Sequence, residues 1–287
     1  MTNPTLRTVA RVVDGEHKLE GGGFLVRRPF PTHALDHVDP FLLLDEAGPI
    51  QPKSDGDMND HPHRGFETLT YVLSGQLFSH DSSGFEDVFH TGDVEWTTAG
   101  SGIVHGGAAL EAGGPARGIQ LWVNLPREQK MIAPKSARIA AASIPKIVNR
   151  TQHYEVNVLA GNAEGTEGPV QTTWPILYLH YKIDAGGNIS LAVPQKHNIM
   201  VYVLRGNISL GEDHLEEGQL GILTEGDLVE IANAAIPAEI LVLGGAPIGE
   251  PVARYGPFVM NTRDEVFQAF DDFRAGKFPM PKAPATV

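Results

Sequence analysis

Glycine and proline recur along the whole chain, 32 and 21 of them in 287 residues, and cut it into short apolar runs. The runs "ETLTYVLSG", "DVEWTTAG", "GIQLWVNL", "PILYLHYKI" and "MVYVLRGNISL" are rich in Val, Ile, Leu, Thr and aromatic residues, and each is long enough for one strand. That spacing predicts an all-β sandwich or barrel. One late stretch reads differently. In "NTRDEVFQAFDDFRAGKF", Asn261 or Thr262 can cap a helix and Asp264 and Glu265 fall in its first turn. Val266, Phe270 and Phe273 recur at helical spacing, and Gly276 can end it, so a short C-terminal helix is expected on the β core.

An internal similarity narrows the architecture. "TYVLSGQLFSHD" from Thr70 and "VYVLRGNISLGED" from Val201 share a strand, a glycine turn and a returning strand. Each leads into an acidic glycine turn and another apolar run, "TGDVEWTTAG" and "EGQLGILTEG". Two copies, rather than many at a short period, indicate a duplicated β unit, hence two β-barrels in tandem. The junction is read within "REQKMIAPKSARIAAASIPK", where polar residues, Ala and Pro replace the strand pattern; this divides the chain into 1–133 and 134–287.

Charge and composition remove several classes of function. Lys plus Arg number 22 against 35 Asp plus Glu, a net charge of −13, the wrong sign for holding a phosphate backbone directly. No run approaches the roughly 20 apolar residues of a membrane helix, and no apolar segment follows Arg7 and Arg11, so a cytoplasmic protein without membrane association is expected. With no cysteine, a metal would have to be held by His and carboxylate. There is no phosphate-binding loop, no GxSxG elbow and no GxGxxG after a strand.

The 12 histidines therefore carry the chemistry. His61 and His63 stand two apart before the strand "ETLTYVL", and alternate side chains of an extended chain leave the same face. His105 follows a tight backbone marked by Gly100 and Gly102. Two His from one strand and one from another form the donor set of a three-histidine metal site with open positions. Arg64 is expected on the opposite face, ion-paired with an acidic neighbour.

The segments "HVDPFLLLDE", "DHPHRGFETLTYVLSGQLFSHDSSG", "GDVEWTTAGSGIVH", "GIQLWVNLP" and "GEPVARYGPFVMNTRDEV" resemble the pirin family of bicupins over nearly the whole chain. The resemblance implies two cupin barrels, the N-terminal one holding a single metal, usually iron, on the two His of HPH, the His ending GIVH, and a Glu two residues beyond. By position these are His61, His63 and His105, but the fourth falls on Gly107, which has no side chain to offer. Glu67, four residues past His63, has the strand parity to stand in as ligand or as catalytic base; otherwise it hydrogen-bonds an imidazole or the backbone. Glu111 is a weaker candidate. A three-His site completed by water is the working expectation, with Fe(II) as cofactor. The resemblance further implies quercetin 2,3-dioxygenase activity on a flavonol-like ligand, weakened by the missing carboxylate. The alternative is a non-catalytic regulatory protein that senses redox state or ligand through the metal and binds a protein partner, and a monomer is expected in either case. The second barrel, with Ala192 and Pro194 at the matching count, is expected to hold no metal.

Overall fold

The computed structural model describes residues 4–20, 23–51, 58–232 and 236–278. Among the described residues the fold is almost entirely antiparallel β structure with one α-helix, Arg263–Arg274. No described helix is long and apolar enough to cross a membrane. The chain forms two compact units, and neither is a contiguous half of the sequence.

The first unit joins the described residues of 1–16 to 142–247. Its larger sheet has the order Val9–Asp14, Gln219–Leu223, Asn198–Arg205, Ala238–Gly245, Ile176–Ile183, Tyr154–Ala160, Lys146–Asn149. Its smaller sheet has the order Asn188–Ala192, Leu228–Ala232, Asn207–Leu210, Asp213–Glu216. Alternation drives this pairing, as in Asn188–Ala192, where Ile189 and Leu191 are buried while their neighbours are exposed. The core between the sheets is a continuous apolar cluster that includes Val156, Leu179, Ile199, Val201, Ile231 and Val242, all at most 1% exposed.

The second unit, formed by 17–141 and the described part of 248–287, repeats that topology. Its larger sheet has the order Lys135–Ile139, Val94–Thr98, Phe66–Ser74, Ala116–Asn124, Phe41–Ile50, Phe24–Phe30, Glu16–Glu20, and its smaller sheet Met58–His63, Ile103–Ala109, Gln76–Asp81, Glu86–His90. The two similar segments seen in the sequence fall at matching places: Phe66–Ser74 and Asn198–Arg205 are each third in their seven-stranded sheets.

The expected division at 133/134 gives way to an exchange of chain ends. Val9–Asp14 pairs antiparallel with Gln219–Leu223 and so completes an edge of the later barrel. The C-terminal segment packs Phe258, Met260, Val266 and Phe278 against Val104 of the earlier one. The C-terminal helix forms where the sequence placed it. Thr262 accepts from the Glu265 amide while the Glu265 carboxylate accepts from the Thr262 amide, a reciprocal cap. The tail beyond the helix, from 279, lies outside the described residues.

Candidate metal centre

Three imidazoles meet inside the second unit because two neighbouring strands of the smaller sheet present them in register. Met58–His63 runs antiparallel to Ile103–Ala109, with His105 directly opposite His61 and Ile103 opposite His63. Ring centroids of His61, His63 and His105 are 4.5–4.9 Å apart. One nitrogen from each lies within 4.8 Å of the other two, and among the described residues this is the one group of three His or carboxylate side chains so placed.

The ring nitrogens not needed by an ion are tied down from behind. Nδ1 of His61 lies 2.8 Å from the Asn59 carbonyl, and Nδ1 of His63 lies 3.4 Å from the Pro257 carbonyl, so each Nδ1–H donates to backbone and leaves Nε2 as the acceptor. Nε2 of His105 is buried with no hydrogen-bond partner, an arrangement costly in a folded core unless a group that accepts its lone pair fills the space. Burial, followed by the neighbouring imidazoles, holds His63 well below the ordinary histidine range, and burial with His61 and His80 lowers His105 to about 3. Both are neutral at physiological pH, the form that binds metal. The donor set therefore fits one divalent transition-metal ion.

Gly65 separates the histidines from the next strand, and this sets aside the parity argument for Glu67. Its φ of +90° breaks the extended run, so Met58–His63 lies in the smaller sheet and Phe66–Ser74 in the larger. Glu67 is fully buried, where it accepts from the Thr98 hydroxyl at 2.6 Å and from the Trp96 indole at 3.3 Å. It is not in the three-histidine group and does not line the cavity in front of it. Glu111 is exposed in a short 3₁₀ turn and is likewise not in the group. Gly107 lies two residues beyond His105 in the same strand, opposite Ser79, and offers no ligand.

Arg64 takes the role the sequence suggested. Its guanidinium donates to the Ser101 carbonyl at 2.7 Å and pairs with Asp272 of the helix at 2.8 Å, while lying 4.4 Å from the centroid of the Phe278 ring. The hydrogen bonds of Lys277, Arg64 and Gln268 hold the Asp272 carboxyl far below the usual carboxylate range. The Val259 amide donates to the Arg64 carbonyl, and the buried Lys130 ammonium donates to the carbonyls of Gly65 and Val259 and to Asn124. The C-terminal segment thus buttresses the His61–His63 strand from its outer side. Several other histidines have partners away from the site: His37 with Asp36, His180 with Glu239, His214 with Ser209. His80 is half-buried and pairs with Asp60 at 2.8 Å.

In front of the imidazoles is a cavity of about 690 Å³, lined by Val26, Leu43, Ile119, Trp122 and Glu95 of the larger sheet and by Ser79 of the smaller one. Trp122 stacks on Phe66 at 4.2 Å and meets His63 edge to face at 5.1 Å, which fixes both rings beside the site. The reading from sequence missed Glu95. Its one signal was a charged residue within the otherwise apolar and hydroxylic run "VEWTTA".

Two antiparallel β-barrels of one topology, one with a histidine cluster open to a cavity and one filled with apolar side chains, define a bicupin with a single candidate metal centre. The chain belongs to the pirin family: the pirin model matches residues 23–123 and the model of the pirin C-terminal cupin domain matches 178–279. Pirin of Mus musculus is 39% identical over 264 residues, covering 90% of this chain and 89% of its own. The crystal structure of a quercetin 2,3-dioxygenase from Acinetobacter baumannii superposes with a TM-score of 0.89 at 35% identity, over 96% of this chain and 99% of that one. A bacterial pirin from Escherichia coli, crystallised with nickel(II), has a TM-score of 0.66 at 16% identity over 83% and 99%, a likeness of fold.

Proposed function

We propose that the protein is an Fe(II)-dependent oxygenase that opens the heterocyclic ring of a flavonol such as quercetin at its 2,3 bond. The observation that carries this reading is the pairing of three clustered imidazoles, two of them held neutral by burial and one with an orphaned buried nitrogen, with a largely apolar cavity of about 690 Å³. That volume falls within the usual range for sites that enclose a drug-sized ligand. The likeness to the quercetin 2,3-dioxygenase of Acinetobacter baumannii supports the substrate class.

His61, His63 and His105 would hold the ion, which when bound supplies a Lewis acid for the substrate oxygen and the redox chemistry of O2. The chain's own residues do the rest. The Asn59 and Pro257 carbonyls keep His61 and His63 in the tautomer that binds through Nε2. Trp122, Leu43 and Ile119 give flat apolar walls for an aromatic ring system and exclude water from it. The test is turnover: untagged protein reconstituted with Fe(II) consumes quercetin in the presence of O2, and His63→Ala abolishes it. A metal-loaded parent that binds quercetin and leaves it unchanged under O2 would contradict the oxygenase reading.

A further inference from the structure

Glu95 is a polar group of the cavity with no part in holding the metal and no charged partner. Every other charged side chain on the cavity walls is matched. Arg28 bridges Glu20 and Asp45, Arg117 pairs with Glu46, Arg254 with Asp36, and Asp60 with His80. Glu95, 8% exposed, accepts one hydrogen bond, from the Ser79 hydroxyl at 2.5 Å, and among the described residues it has no ion-pair partner. Ser79 stands opposite Gly107, on the face that also carries His105 two residues away. Two residues of strand span roughly 7 Å. Glu95, Ser79 and the three imidazoles line one and the same cavity, so a ligand that fills it meets both the carboxyl and the imidazoles.

We propose that Glu95 is a catalytic acid–base residue of this site, taking the proton of a ligand hydroxyl as the ligand binds. The O–H bond of that hydroxyl breaks, its electron pair stays on the ligand oxygen, and the proton forms a new O–H bond on the Glu95 carboxylate, to be returned when product leaves. This rests on the flavonol reading above, since the proton comes from an acidic enolic or phenolic hydroxyl. Burial raises the carboxyl, the Ser79 hydrogen bond opposes that, and the charge of Asp81 adds to it; the result is about 7. A group balanced near neutral pH both accepts and returns a proton.

The experiment uses metal-loaded protein without O2 and the probe 3-hydroxyflavone, whose absorption moves to longer wavelength when its hydroxyl ionises. Calorimetry in buffers of different ionisation enthalpy counts the protons released on binding at about pH 8, where Glu95 is mostly ionised. The parent binds the probe as its anion with no net proton release, because Glu95 keeps the proton. Glu95→Gln, which keeps the shape and the Ser79 contact, binds it as the neutral form or releases one proton per probe, and its turnover of quercetin falls about a hundredfold or more. Ser79→Ala keeps the carboxyl and removes the bond that favours its charge, so the pH at which bound probe becomes anionic rises. One proton released by the parent, or the same spectrum, proton count and turnover in Glu95→Gln, overturns the proposal and leaves the flavonol reading standing. A parent that does not bind the probe overturns both.

Discussion

Among single residues, the three histidines make the most direct prediction. If they are ligands, His63→Ala leaves two, and metal content measured by mass spectrometry should fall well below one per chain. Glu95 makes a second prediction at this scale. Its carboxyl is raised in the folded state, so it favours folding most below the ordinary glutamate range, and that contribution is lost as pH rises through about 7. Chemical denaturation of metal-free protein should show stability declining between about pH 4.5 and 7 by up to about 3 kcal/mol from this group, and Glu95→Gln should flatten that decline. An unchanged slope in the variant would show that Glu95 is ionised in the fold. His61 and His63 were legible in the sequence because period-two alternation survives over three residues of any extended chain. Extending that parity four residues to Glu67 failed, because Gly65 at φ +90° moves the chain from one sheet to the other. Glu95 was hidden for a related reason: whether a charged residue in a strand points inward depends on which face of the sheet is covered, and a single strand does not say.

At the scale of elements, the strands and the helix were readable from alternation and capping, and the pieces that hold the site in place were not. Gly65 sits at the bend between two strands, and a Cβ there would lie 2.0 Å from the Val259 carbonyl oxygen. Gly65→Ala should therefore destabilise by about 3 kcal/mol or more, combining backbone strain with a clash that only backbone movement can relieve. Thermal unfolding checks this, and an unaltered midpoint would contradict it. Lys130 braces the same bend through Gly65, Asn124 and Val259. Lys130→Met keeps the aliphatic stem and strands three acceptors, for an expected loss of roughly 2–4 kcal/mol. The contacts to Gly65 and Val259 join residues far apart in the chain, which is why local pattern did not expose them.

At the scale of the whole molecule, duplication was visible from two similar strand-turn-strand segments, while the exchange of chain ends was not. An edge strand such as Val9–Asp14 has the same local signature whichever sheet it completes. The two barrels share a topology and differ in what faces inward. Where the second unit presents His61, His63 and His105, the matching small sheet of the first presents Ile189, Leu191, Val229 and Ile231, all at most 5% exposed. Counting residues from the sequence put Ala192 and Pro194 at the ligand positions; these are exposed and their neighbours Leu191 and Val193 are buried, one residue out of the counted register. Neither set supplies a ligand. Anomalous diffraction at the absorption edge of the metal found in untagged protein tests the central claim most directly. The expected result is one peak, bonded to His61, His63 and His105 together; a peak at other residues, or none at these three in metal-loaded crystals, would contradict it.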